Sequence, residues 1–478
     1  MSATDYVDAG MFDQDGRRVS GSGEQHSGQV RLAYRLAGAY ADGLLHVHGI
    51  GWHYWDGKRW AEDDQRHARR AVHDVLAVAL GESVGDKQLR ADVAKCESDA
   101  GISGVLGVAA DLVEFTATVR DLDADPYLLN CANGTLDLRS RALRPHDPRD
   151  RLTKVTTGAY DPDGHPRVLP MGNTPVPTSV WETFLASVLP DQAEREYLRR
   201  VIGQCVYGRV REHLFPVLIG VGANGKGSMY GAVTNALGDY ATVINPELLM
   251  VRERGGIGGP EMMTLLGARL VIGSETEDGR KLDEATMKRL TGGDELTARR
   301  LYSPPVTWQP SHQLVYVTNS LPKVKGNDPA VWRRLRVVPF DVVVPVEDRD
   351  PELAERLALH ADAILSWVVA GHFDYEDNGG MREPASVIRA TGDYQADSDA
   401  VARFVAEACE VGPYLSAYPR ELYAAWQRWP DRDGAEAMTE RAFTKELDRL
   451  GYPAGKRNQY GIPRTGLAPR TVDSQEVM

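Results

Sequence analysis

The sequence predicts an α/β protein: a core built on a parallel β-sheet, preceded by a mixed α+β accessory region and followed by a small winged-helix-like module. Three observations predict it. The apolar run Phe215-Pro-Val-Leu-Ile219 leads into a glycine loop and then a helical stretch, the order of a parallel α/β unit. Two more short apolar runs, Arg269-Leu-Val-Ile272 and Gln313-Leu-Val-Tyr-Val-Thr318, read as further buried strands. The tail carries three helical stretches and then a basic, strand-like end.

Composition sets the outer limits. The chain has 478 residues, 42% hydrophobic and 26% charged, which suits about three globular domains. Wholesale disorder, collagen and a disulfide mini-scaffold are excluded. Fifty-five Lys+Arg against 68 Asp+Glu give a net charge of −13. That excludes a bulk polycation but leaves room for a local basic lining. Cys96, Cys131, Cys205 and Cys409 lie far apart with no CxxC pair, which argues against a zinc ribbon and a disulfide framework. The start, MSATDYVDAGMFDQDG, has neither the basic nor the apolar region of a signal peptide. The apolar run Ile102 to Val113 contains Asp111 and is too short for a membrane span. A reducing cytoplasm is the expected location, with no membrane partner.

Taken in order, residues 1–28 are polar and read as loose. An accessory domain is expected over 29–177. It has a helix from Val30 to Leu44, a β-hairpin over 49–60 turning at Asp56-Gly57, helices near 63–81 and 86–98, and alternating strands over 127–143 turning at Asn133-Gly134. Asp161 to Pro177 is rich in Pro, Gly and Asp and reads as a linker. The core is expected over 178–372, with helical spacing from Ser179 to Gly208, a helix from Gly225 to Leu237, and another helical stretch over 348–369. A linker is expected over 373–397. The last domain, 398–478, is expected to hold helices at 399–409, 419–428 and 439–450.

The strongest motif is Gly220-Val-Gly222-Ala-Asn224-Gly225-Lys226-Gly227-Ser228. Glycines let the backbone curl so that N–H groups converge on phosphate oxygens, and the helix start adds its positive dipole end. Lys226 is placed to reach the β- and γ-phosphates of ATP. The residue after the lysine commonly carries the hydroxyl that holds Mg²⁺; here it is Gly227, and the hydroxyl comes one position later at Ser228. Acids are then needed at a neighbouring strand end, for Mg²⁺ and for the attacking water. Glu275 and Glu277 follow Leu270-Val-Ile272, with Glu275 as a metal candidate and Asp278 as a third acid. Asn319, after the next apolar strand, is a candidate sensor amide for the γ-phosphate. Arg333 and Arg334 precede another strand, and a guanidinium there can reach a neighbouring subunit's phosphate as an arginine finger.

Between the acids and the arginines the charge changes sign. Residues 281–340 hold ten Lys/Arg against five Asp/Glu. A helix ending at Gly292-Gly293 and a hairpin with Pro304-Pro305 near its tip are expected. Lys288, Arg299 and Arg300, interleaved with Tyr302 and Trp308, suit a channel that tracks a nucleic-acid strand. The tail repeats the bias, with seven Lys/Arg and two Asp/Glu over 441–470. Lys445 sits on a recognition-type helix there, and Lys456, Arg457 and Arg464 on a following wing.

In this order, Gly220–Ser228, Gly267-Ala-Arg-Leu-Val-Ile-Gly-Ser-Glu275-Thr-Glu277, Leu290-Thr-Gly-Gly-Asp294, Thr318-Asn319-Ser-Leu-Pro322 and Trp332-Arg-Arg334 through Val-Pro-Phe340 resemble the superfamily 3 helicase core of phage and plasmid primase–helicases, a group related to poxvirus primase–helicases. The resemblance covers about 178–372. Asn130-Cys-Ala-Asn133-Gly-Thr-Leu-Asp-Leu with Pro145-His-Asp-Pro148 resembles the region upstream of that core, and the tail resembles the family's terminal winged helix. The resemblance implies an AAA+ ring, hexameric, that hydrolyses ATP with Mg²⁺ to move along single-stranded or forked DNA, typically 3′ to 5′, in a bacterial host. It implies the P-loop role for Lys226 and Ser228, acidic-motif roles for Glu275 and Glu277, the sensor role for Asn319 and the finger for Arg333 or Arg334. A replication polymerase or primase is the implied further partner. Upstream of the core there is no paired-acid motif followed by a histidine motif of the primase kind, so primer synthesis by this chain is not expected. Two other readings stay open on the residues alone: an origin-binding or scaffold ATPase that does not unwind, and a P-loop small-molecule kinase.

Overall fold

The computed structural model describes residues 25–162, 179–252, 259–274, 279–324, 328–429 and 438–470. Five strands form the central sheet: β1 (Phe215–Ile219), β2 (Ala241–Ile244), β3 (Leu270–Ser274), β4 (Gln313–Thr318) and β5 (Leu335–Pro339). Their spatial order is β5-β1-β4-β3-β2, and every pairing is parallel. Helix α1 (Lys226–Leu237) leaves the carboxyl end of β1 through the glycine loop.

Side-chain alternation along each strand explains why this sheet is buried on both faces. Leu218, Leu270, Ile272, Val315, Val317 and Val338 point into one cluster, with Met229 and Val233 of α1 and Leu198, Val201, Leu365 and Val368 of two flanking helices. The intervening Val217, Val271, Leu314, Tyr316 and Val337 point into another, against Leu249, Met287 and Leu290. Each such side chain contributes about 1.5–3 kcal/mol of burial. A one-residue slip in any strand would exchange the two sets.

The region before the core has its own cluster. Helices Gly28–Tyr40, His67–Glu82, Lys87–Cys96 and Asp99–Ala109 pack around Leu36, Val72, Val93, Val105 and Phe115. Strands Leu44–Val47, Gly51–Trp55, Trp60–Glu62 and Thr116–Ala117 form a sheet beside them. The apolar run at 102–113 is the last of these helices. Two of the helix's glycines serve packing: a Cβ at Gly101 would meet the backbone of Cys96, and one at Gly104 the side chain of Gln29. Strands Leu128–Cys131, Gly134–Asp137 and Ala142–Arg144 make a meander whose Leu129, Cys131 and Leu136 share the core's cluster.

Of residues 373–397, expected as a linker, 373–378 and 385–397 are helical. Helix Ala361–Asn378 ends at Gly379, which takes φ +67° as its cap, and helix Ala385–Ser398 follows at once. The Gly379-Gly380 pair is a helix stop and not a tether. The second helix docks on β5, with the Thr391 hydroxyl accepting from Val337 N–H at 3.0 Å and the Tyr394 hydroxyl donating to Pro322 O.

The tail runs helix Ala400–Ala408, strand Cys409–Ala417, helices Pro419–Arg428 and Glu440–Arg449, and strand Arg464–Pro469. The two strands pair antiparallel over Phe404, Trp426, Phe443, Leu447 and Leu467. Among the described residues no helix is long and apolar enough to cross a membrane.

Candidate functional site

Parallel strands present all their carboxyl ends on one edge, and a crevice opens where the strand order reverses. Here β1 lies between β5 and β4, neither of them its neighbour in sequence. Register then sets the site. Ile219 pairs with Thr318 and Ser274 with Val317, so Gly220 and Asn319 leave the sheet at one level, one residue past their partners.

The loop is built around close approaches. A Cβ at Gly220 would collide with the Asn224 amide and the Phe340 carbonyl. Asn224 is buried, donating from Nδ2 to Phe340 O at 3.1 Å. Gly225 takes φ +80° and ends the curl. The Lys226 ammonium, on a side chain only 5% exposed, donates to Gly220 O at 2.5 Å, Asn224 Oδ1 at 3.1 Å and Asn319 Oδ1 at 3.3 Å. These are neutral oxygens, which a phosphate can replace with a stronger charge-assisted bond. With Asn319 Oδ1 taken by the lysine, its amide N–H groups are left as donors at the mouth of the loop.

The residues present fit a nucleotide triphosphate. Gly222 and Gly227 have open space where a side chain would stand, which is the clearance a backbone needs to approach phosphate closely. The first helical bond of α1 runs from Met229 N–H to Gly225 O at 2.9 Å, so the amides before it await an outside acceptor. Ser228 lies half-buried in that first turn. Gly225→Ala is expected to lower stability by about 1–3 kcal/mol. Its Cβ would stand 2.5 Å from Val188 Cγ1 at a positive φ, and urea denaturation measures the loss.

Glu275, Glu277 and Asp278 lie outside the described residues; β3 is described as far as Ser274. Among the described residues no group of three or more His, Cys, Asp or Glu could hold a metal.

Arg333 and Arg334 are not beside this loop. They precede β5, whose first residue pairs with the first residue of β1, so they sit at the other end of the sheet. Five strand residues separate the two ends, roughly 16 Å. The pair also divides. Arg334 is 6% exposed and donates to Ala330 O at 2.7 Å; burial first, then the charge of Arg333, lowers its pKa. Arg333 is exposed and borders an open cavity of about 870 Å³ with Arg211, His213 and Arg382.

The hairpin expected near Pro304-Pro305 is present, Leu296–Ala298 against Val306–Trp308. Tyr302, at φ +63°, is fully exposed beside exposed Leu301. Arg299 is exposed as well. Trp308 is not on the strand-facing side; it is buried in the core cluster. Lys288 is held by Asp328 at 2.7 Å, where the ammonium first, then the Ala330 N–H, pulls the carboxyl below its usual range. Arg300 is committed too: it grips both Glu62 oxygens at 2.7 Å and reaches Ile50 O at 3.4 Å. These two tie elements of this chain together, a role local charge counting cannot distinguish from a nucleic-acid contact.

In the tail, Lys445 is exposed on helix Glu440–Arg449, and Lys456 and Arg457 are exposed on a turn closed by bridges Ala454–Arg464 and Asn458–Gly461. Arg464, expected on the wing surface, is buried and paired with Asp448.

Residues 33–190 match the family described as D5 N terminal like. "Putative helicase L207/L206" of Acanthamoeba polyphaga mimivirus is 30% identical over 239 residues, 50% of this chain and 24% of the relative. "Putative helicase 022R" of Frog virus 3 is 25% identical over 84% of this chain and 48% of the relative. "Putative primase C962R" of African swine fever virus (isolate Tick/Malawi/Lil 20-1/1983) is 25% identical over 51% of this chain and 25% of the relative. The chain thus spans between a quarter and a half of the length of these relatives. Over these spans it is similar to helicase- and primase-named proteins of large DNA viruses.

Proposed function

We propose that the chain is an ATP-dependent DNA helicase of a phage or other mobile element, with a superfamily 3 AAA+ core that works as a ring on single-stranded DNA during replication. The relatives' names support a helicase- or primase-like role. The observation that carries the finer reading is the bond from Lys226 to Asn319 across adjacent strand ends. It joins a phosphate-gripping cation to an amide able to report on the γ-phosphate or to position water. The strand order, with β4 between the loop strand and the acid strand, supports the AAA+ assignment. The helix and hairpin order of the tail supports a winged helix that carries Lys445, Lys456 and Arg457 toward DNA.

ATP with Mg²⁺ supplies the phosphoanhydride whose hydrolysis drives the motion. Lys226 and the loop amides bind and orient it, Ser228 and Glu275 provide oxygen ligands for the ion, and Glu275 or Glu277 orients water. Asn319 couples the loop to β4, and the chain after β3 and before β4 contains the exposed hairpin. Through that link a change at the loop can move Arg299 and Tyr302 against a strand.

An unwinding assay on a forked duplex with ATP and Mg²⁺, alongside ATPase rates with and without single-stranded DNA, tests this reading. Stimulated hydrolysis with unwinding supports it. Hydrolysis without unwinding returns the scaffold alternative, and no hydrolysis in either condition overturns both. Tyr302→Ala is expected to weaken single-strand binding about tenfold, the loss of one stacked base, measured by fluorescence anisotropy. Its full exposure makes any effect on stability small.

A further inference from the structure

At the end of the sheet away from the glycine loop, a cleft of about 1260 Å³ opens between the accessory region and the core. It is lined by Gly208, Gly267 and Ser311, residues shortly before β1, β3 and β4, by Tyr54 and Lys154 of the accessory region, and by Arg300 and Leu301 of the hairpin.

The charges lining it divide into committed and uncommitted. Arg300 is bound to Glu62, and Arg120 to Glu295 at 3.4 Å. Arg59 pairs with Asp56 and Asp239. Arg269 is fully buried, donating to the carbonyls of Val206 and Leu128. Asp123 accepts from Thr153 N–H and hydroxyl at 3.0 and 2.6 Å. That leaves Asp64 as the remaining acid, and Lys154 and Arg209 as cations that feel Glu62 and Asp123 with Asp125 through space but form no direct ion pair with a carboxylate among the described residues. Arg209 donates only to carbonyls, Gly208 O at 2.8 Å and Ala124 O at 3.4 Å. Both are half-buried, where a cation with no directly bonded carboxylate attracts an anion.

We propose that this cleft is a binding groove for the phosphodiester backbone of single-stranded DNA, with Lys154 and Arg209 as its phosphate contacts. This rests on the helicase reading. The size favours a strand over a mononucleotide, since the cleft exceeds the roughly 300–1,000 Å³ of small-ligand sites. So does continuity: Leu301 borders the cleft, and the next residue is the exposed Tyr302, so a strand stacked on the hairpin tip has the groove directly beside it. The accessory region then holds DNA jointly with the core.

The test uses the full chain and a fluorescein-labelled oligothymidine of about 20 nucleotides, titrated at several salt concentrations. Lys154→Gln with Arg209→Gln is expected to weaken binding about tenfold and to flatten the slope of log K against log salt by about 1.4, or 0.7 per lost contact. ATP affinity and thermal midpoint are read in parallel. If the double variant does not fold, Lys154→Gln alone is expected to flatten the slope by about 0.7. Unchanged affinity and slope, with wild type binding the oligothymidine, overturns the groove and leaves the helicase reading intact. A double variant that loses mononucleotide binding but keeps the oligothymidine also overturns it. Wild type that binds no oligothymidine removes both.

Discussion

Lys226→Ala is expected to reduce ATP hydrolysis by about 10²–10³-fold or more, the scale on which a preorganised electrostatic contact acts, with the fold retained. The ammonium touches the loop at Gly220 O and Asn224 Oδ1 and the neighbouring strand end at Asn319 Oδ1. Removing it loses the cation for the phosphates and frees the Asn319 amide to rotate, so binding and hydrolysis fall together. The affected hydrogen bonds contribute about 1 kcal/mol each to stability, small beside the two-sided burial of the sheet. Lys226→Arg is expected to rescue poorly, because a planar guanidinium cannot place one compact charge against three converging oxygens. Asn319→Ala is expected to keep nucleotide affinity and lose turnover, which separates positioning from gripping. Phosphate release and nucleotide titration measure the two quantities. Hydrolysis at the wild-type rate in Lys226→Ala would remove the loop from the mechanism.

Why the loop was legible while the charged contacts were not follows from range. Phe215–Ile219, Leu270–Ser274 and Gln313–Thr318 are short apolar runs ending in polar residues, and a buried parallel strand needs only its own sequence to announce itself. The glycine loop, α1 and Asn319 follow from where those strands end. Edge elements are weaker: β2 is four residues with an exposed Val243, and Cys409–Ala417 is irregular and largely exposed, so neither shows a clean alternation. The cations fail differently. Arg300 meets Glu62 across 238 positions and Lys288 meets Asp328 across 40, and nothing local to a basic residue tells whether its counter-charge is a distant carboxylate or a phosphate. Trp308 looks alike in a basic run whether it stacks on bases or closes a core; here its strand partner Leu296 is buried with it.

Arg333→Ala is expected to lower turnover by about 10³–10⁵-fold, the range of an arginine finger, while leaving ATP affinity and the fold unchanged. Arg333 sits at the amino end of β5, the full length of the sheet from its own Gly220–Ser228 loop, so it cannot serve that loop. It is exposed, whereas Arg334 is buried against Ala330 O; Arg334→Ala is therefore expected to destabilise the fold without a specific effect on turnover. On the proposed reading a second copy, docked head to tail, would bring Arg333 to a phosphate, and a contact of that kind closes into a ring when its rotation permits. Mixing decides the matter. Lys226→Ala and Arg333→Ala are each expected to be inactive alone. In an equal mixture, about a quarter of head-to-tail contacts join an intact Lys226 to an intact Arg333, so up to about that fraction of wild-type hydrolysis returns. Recovery on mixing places the finger in trans. Two inactive variants that stay inactive together, in assemblies shown to exchange subunits, would assign Arg333 a role within its own chain, which the geometry of β5 opposes.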